Sequence, residues 1–213
     1  MGAPQSFVIP DSKDDEEPVD LSRIDFEALR ERFEQGRKNT EAERLRGRVN
    51  SKLKQMIKLN KARTDYQERL QRLIDEYNAG SLNIDLYFKA LLKIARELNE
   101  EDQRAISEGL SEEELAVFDI LTKPEMPLTD KDKGEVKRIA RDLLETLKRE
   151  KLVLDWRKRQ QARASVRVAV LDGLDRLPTA YTDEMYQSKA EFVYQHVYDS
   201  YYGQGKSVYA KAS

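Results

Sequence analysis

Three observations predict an all-α fold. Charged residues make up 37% of the 213 positions against only nine glycines and six prolines, a composition weighted toward Glu, Lys, Arg and Leu, which lose little on entering a helix. Apolar residues recur three and four apart, which places them on one side of each segment. Capping signals precede several of those runs. No stretch alternates with period two over a convincing length, and the β-branched run "VRVAV" at Val166–Val170 fits a helical period equally well. The expectation is a single domain of about seven or eight helices and no sheet over residues 21–203, with an acidic, Pro-containing tail or linker at 1–20 and a flexible end at 204–213.

In chain order, Ile24, Phe26, Leu29 and Phe33 space a short first helix, which Gly36 and Asn39 punctuate. Thr40 followed by Glu43 reads as a capping box, ahead of the stripe Leu45, Val49, Leu53, Met56 and Ile57. Thr64 with Gln67 repeats the signal before Leu70, Leu73, Ile74 and Tyr77, and Gly80 is a plausible stop. Asn83 can cap a helix that buries Tyr87, Phe88, Leu91, Ala95 and Leu98. Ser111 with Glu114 precedes another stripe, "TKPEMPLTD" is a loop by its two prolines, and Thr129 opens a long helix. A helix over Val153–Leu174 would put Val153, Trp156, Ala164, Val168 and Leu171 on one stripe. Tyr186, Ala190, Val193 and Val197 mark the last helix.

The net charge of −2 singles out no partner, but the charge is sorted into blocks: Arg37–Arg72 holds twelve bases and four acids, Glu97–Asp119 nine acids and one base. The absence of cysteine excludes disulfides, thiolate catalysis and thiolate metal sites and suits a reducing cytosol. "MGAPQSFVIP" lacks the basic start and apolar core of a signal peptide, and no apolar run is long enough to span a bilayer. The expected location is cytoplasmic, with no membrane partner.

The stretch "KREKLVLDWRKRQQARASVR", Lys148–Arg167, holds the one tryptophan and eight bases against two acids. On a helix, Trp156 points inward as a packing anchor, and Arg159, Arg163 and Arg167 form a row beside the apolar stripe. Such a row is ordinarily a solvated face; otherwise it meets protein or DNA. Nucleic-acid binding favours exposed aromatics among the bases or a groove-fitting motif, and neither is evident.

Motifs that carry chemistry fail on spacing or context. "GQGKS", Gly203–Ser207, resembles the end of a phosphate-binding loop, but Ser200 stands where its first glycine belongs and no strand precedes it. A restriction-type nuclease needs carboxylates and a lysine on neighbouring strands; Pro10-Asp11 falls in the tail and Glu135-Val136-Lys137 on a helix. His196 is the sole histidine and reads as structural. The tyrosines Tyr181, Tyr186, Tyr194, Tyr198, Tyr201 and Tyr202 suit a core edge or, where exposed, an interface. No catalytic, cofactor-binding or metal-binding residue is assigned.

Taken together, "NKARTDYQERLQRLIDEYNAG", "GLSEEELAVFDILTKPE", "LVLDWRKRQQARASVRVAV" and "YQHVYDSYYG" resemble the C-terminal helical region of the restriction (R) subunit of type I restriction-modification enzymes, over about Ile24 to Gly203. In that family the R subunit carries a Mg²⁺-dependent nuclease domain, two ATP-driven translocating motor domains, and a helical C-terminal region that contributes to assembly with the methyltransferase core. The resemblance implies the last of these: no enzyme by itself, no cofactor, and the methyltransferase and specificity subunits as partners. Trp156, Arg157, Gln160, Arg163 and Arg167 match the family pattern, which assigns them no reaction. The expected function is a docking and assembly domain with Arg157, Arg159, Arg163 and Arg167 as candidate contacts; the alternative is a non-specific DNA-contacting domain using the basic helices.

Overall fold

A computed structural model describes residues 19–124 and 126–211. All but two residues of the expected tail at 1–20, and Pro10-Asp11 with it, lie outside the described residues, as do 212 and 213. The described chain is all-α in substance: α1 Phe26–Glu34, α2 Lys38–Leu59, α3 Thr64–Asn78, α4 Ile84–Asp102, α5 Arg104–Ser107, α6 Glu112–Thr122, α7 Asp130–Thr146, α8 Gln160–Leu174 and α9 Asp183–Ser200. The helix beyond the expected eight is α5, a single turn too short to leave a periodic signal.

Local chemistry explains the boundaries. Asp25 caps α1 by accepting from the N–H groups of Glu27 and Ala28. Ser111–Glu114 closes a reciprocal capping box at α6, as Thr129–Asp132 does at α7. Gly80, at φ +75, ends α3: its N–H reaches Tyr77 O and that of Ser81 reaches Glu76 O, the paired bonds of a Schellman stop. Two helices begin ahead of their expected caps. The second helix already begins at Lys38, so Thr40 lies inside it. The turn Lys61–Arg63 feeds α3 with Arg63 in a near-helical conformation and no side-chain cap.

Contacts gather into two compact units, where the sequence suggested a single domain. One comprises the described residues up to Ile57 with Arg63–Arg104; the other Lys58–Ala62 with Ala105 onward. The first packs α1 to α4 around Phe33, Leu45, Val49, Leu53, Leu70, Phe88, Leu91 and Leu98, with Phe33 stacked on Phe88 at 3.9 Å between centroids. Its buried Arg63 bonds to Glu101 Oε1 at 2.9 Å, a carboxylate that Arg104 also reaches at 3.0 Å.

The second unit packs α6 to α9 around Leu115, Leu121, Val136, Leu143, Leu147, Trp156, Val166, Val170, Leu174, Val193 and Val197. Helices α7 and α8 meet closely at Gly173, where a Cβ would come within 2.7 Å of Leu143 Cδ1. Two expectations about the C-terminus are corrected here. Tyr201–Gly203 (β1) and Lys206–Ser207 (β2) pair antiparallel, so a small sheet exists. Gln204 and Gly205, at φ +50 and +73, form the two-residue turn such a ribbon favours. Nor do residues 204–211 behave as a flexible end: Val208–Lys211 is a 3-10 turn, and Tyr209 is buried with its hydroxyl donating to Leu59 O at 2.6 Å.

Candidate functional site

The stretch from Leu147 to Gln160 is where the structure departs most from helical expectation. Leu147–Lys151 widens the end of α7 into a π turn, with Leu152 N–H bonded to Leu147 O at 2.9 Å. Asp155 then adopts φ +56, a left-handed conformation uncommon outside glycine, which breaks the chain away from helix. Trp156 is fully buried, as expected, but from a turn: its Nε1–H donates to Tyr201 O at 3.2 Å and its ring meets Tyr198 edge-on at 5.8 Å. Gln204 N–H donates to Leu152 O at 3.1 Å. Gly203 lies so close that a Cβ there would sit 2.5 Å from Val153 O.

Because helix resumes only at Gln160, the phase read from Val153 and Trp156 does not carry into α8. Its buried residues are Val166, Val170 and Leu174, and Ala164 and Val168 are exposed. The expected stripe is therefore corrected, and the arginine row with it. Arg159 is the residue before α8, exposed, with no side-chain partner among the described residues. Arg163 Nη1 donates to Arg157 O at 2.7 Å and so fixes the turn. Arg167 pairs with Glu191 at 2.6 Å and covers the Tyr194 ring at 4.4 Å. Arg157 lies over Tyr198 at 4.6 Å and Tyr202 at 5.2 Å, and its guanidinium makes no ion pair among the described residues. Of the arginines named from the sequence, Arg163 and Arg167 thus hold structure, Arg157 is half-buried over two tyrosine rings, and Arg159 is exposed.

Val153, expected on the inward stripe, is instead 47% exposed; Leu154 beside it, which the sequence did not single out, is 53% exposed, and Tyr202, named among the tyrosines, is 46% exposed. The signal was present in "KLVLDW": Leu152, Val153, Leu154 and Trp156 cannot all face inward from one turn, and the structure buries Leu152 and Trp156. Of the expected tyrosine cluster, Tyr181 donates to Leu121 O, Tyr186 to Leu171 O and Tyr201 to Glu113. Burial beside Glu113 holds the Tyr201 phenol well above its usual range. Tyr202 alone of the cluster is exposed, and Tyr198 is half-buried against Trp156.

His196 is buried, with Nδ1 3.5 Å from Ser200 Oγ and Nε2 3.1 Å from Tyr209 Oη. Tyr209 gives its hydrogen to Leu59 O, so its oxygen accepts from His196 Nε2–H. Burial, reinforced by Lys61, lowers the imidazole to about 4 and keeps it neutral. The "GQGKS" string is the β1–β2 turn, and Glu135-Val136-Lys137 lies on α7. Among the described residues there is no cluster of three metal-ligating side chains, and no helix is long and apolar enough to cross a membrane. In the basic block Arg37–Arg72, Lys38, Arg44, Arg46, Lys52, Lys61, Arg63 and Arg69 are ion-paired, so much of its excess charge is answered.

The chain is 29% identical over 103 residues to the MjaIXP endonuclease subunit of a type I restriction enzyme of Methanocaldococcus jannaschii, a match covering 48% of this chain and 10% of that protein. It is 24% identical over 112 residues to the type I restriction enzyme HindI endonuclease subunit of Haemophilus influenzae, covering 53% of this chain and 10% of that one. The matched stretch is thus about a tenth of each relative's length. No solved structure matches the chain. The family model described as "Type I restriction enzyme HindI endonuclease subunit-like, C-terminal" matches residues 9–200, and the chain belongs to that family.

Proposed function

We propose that this chain is a docking and assembly domain that joins the ATP-driven, DNA-translocating endonuclease subunit of a cytoplasmic type I restriction enzyme to its methyltransferase core, and that it catalyses nothing by itself. The carrying observation is an asymmetry between the units: of the seven large apolar side chains exposed among the described residues, Ile106, Val153, Leu154, Val168, Phe192 and Tyr202 belong to the second and Leu86 alone to the first. Apolar and aromatic side chains held at a surface lose their unfavourable hydration on association, and tyrosine and arginine are the types that concentrate binding energy at protein interfaces. The second unit therefore carries the docking face.

A second reading, non-specific contact with DNA, is favoured by one feature of the first unit. Arg48 and Lys54 are exposed on α2, and no acid occurs between Arg44 and Arg63 in the sequence. The experiment that separates the two is titration of the chain against purified methyltransferase and specificity subunits, with and without duplex DNA, at two salt concentrations. Docking gives a complex without DNA whose affinity changes modestly with salt; phosphate contact gives DNA-dependent retention that weakens steeply. Absence of any complex at micromolar concentration without DNA would overturn the docking function.

A further inference from the structure

We infer that the surface formed by Val153, Leu154, Arg157, Tyr198 and Tyr202 is a preformed recognition site for a protein segment that carries an apolar anchor beside a carboxylate; this rests on the docking function proposed above. The backbone of the turn brings these residues close together. Arg157 spans Tyr198 and Tyr202, and Gly203, next to Tyr202, abuts the Val153 carbonyl. Four restraints hold the turn: Trp156 Nε1–H on Tyr201 O, Gln204 N–H on Leu152 O, Arg163 on Arg157 O, and the left-handed Asp155. Those restraints bury Leu152 and Trp156 and oblige Val153 and Leu154 to face water. A solvated turn has no need of two adjacent aliphatic side chains there. Rigidity also removes the ordering cost a flexible loop would bear on binding.

Charge selects the occupant. Around the apolar shelf, Lys158 is answered by Asp155 at 3.0 Å, and Asp199 is paired with Lys61 and also attracted by Arg157, while Arg159 makes no ion pair among the described residues, so the two guanidiniums outweigh the carboxylates left to answer them. The local excess is positive, and the Arg157 fork, already oriented by two rings, fits a carboxylate. A nucleic acid is the poorer fit: Arg157 itself covers the tyrosine faces on which bases would stack, and Val153 and Leu154 offer nothing to a phosphate.

The test uses the full chain and the methyltransferase–specificity core, with Leu154→Asp, Arg157→Glu and Arg159→Glu. Leu154 and Arg159 are exposed and Arg157 is half-buried, and emission from Trp156, the sole tryptophan, verifies that each variant keeps the buried indole. Leu154→Asp should weaken binding at least about tenfold, as loss of a central anchor does. Arg157→Glu and Arg159→Glu should weaken it by an amount that shrinks at high salt. Failure of the wild-type chain to bind the core would overturn both this site and the docking function. Wild-type binding that all three variants retain would overturn this site alone. Weakening by Leu154→Asp with no effect of either arginine reversal would overturn the acidic partner. Self-association of the chain abolished by Leu154→Asp would replace the heterologous partner with a second copy, and displacement of the core by a short oligonucleotide would replace it with nucleic acid.

Discussion

Trp156 and His196 are buried side chains whose loss or titration is read directly in stability. Removing the indole takes away a fully buried ring, its bond to Tyr201 O and its edge contact with Tyr198. Trp156→Ala should cost about 3–5 kcal/mol in denaturant melts followed by circular dichroism, transfer energy plus cavity; a loss below about 1 kcal/mol would mean the ring is not an anchor. The imidazole of His196 titrates at about 4 in the fold against 6.5 in the unfolded chain. Above pH 6.5 neither state binds the proton, so the stability is fully present. As pH falls from 6.5 toward 4 the unfolded chain takes up a proton the fold refuses, and stability should decline by about 3 kcal/mol. His196→Gln should flatten that part of the profile; an unchanged slope would assign the loss to carboxylates.

At the scale of elements, two glycines make opposite predictions. Gly203, at φ +94, ends β1 against the Val153 carbonyl, and Gly203→Ala would both strain the backbone and press a methyl into that oxygen. A loss of about 2 kcal/mol is expected. Gly47 lies in α2 with nothing within 4 Å of a built Cβ, so Gly47→Ala should stabilise by about 0.5–1 kcal/mol. Thermal melts of the pair would read both signs at once, and a destabilising Gly47→Ala would show that α2 is not as open there as described. The α6 cap is a third case: Ser111→Ala should cost about 1 kcal/mol, since Glu114 N–H loses its partner.

For the whole molecule, the arginines separate structure from function. Arg167→Glu would face Glu191 and lose the stack on Tyr194, so it should lower stability by about 1 kcal/mol, the upper end for a half-exposed pair. Arg159→Glu, with no partner to lose, should leave the melting midpoint unchanged while weakening association with the core. Reversing Arg159, Arg163 and Arg167 together would confound the two effects. The three would be equivalent only if all lay freely on one helix face, as the sequence suggested.

Much of the fold was written in short-range signals. Capping residues, helix-stopping glycines and stripes spaced three and four apart are local physics, and Asn83, Ser111, Thr129 and Gly80 act as their types and neighbours dictate. The inward direction of Trp156 was also legible, because a lone tryptophan among helical apolar residues has most to gain from burial. What only the tertiary structure decided is the break at Asp155, the phase of α8, the ribbon made from "GQGKS" and the burial of Tyr209. Each depends on residues far apart in sequence: Trp156 with Tyr201, Leu152 with Gln204, Leu59 with Tyr209. A pattern read within one segment carries no information about such pairings, which is why the arginines were visible as a row while the apolar shelf beside Arg157 was not.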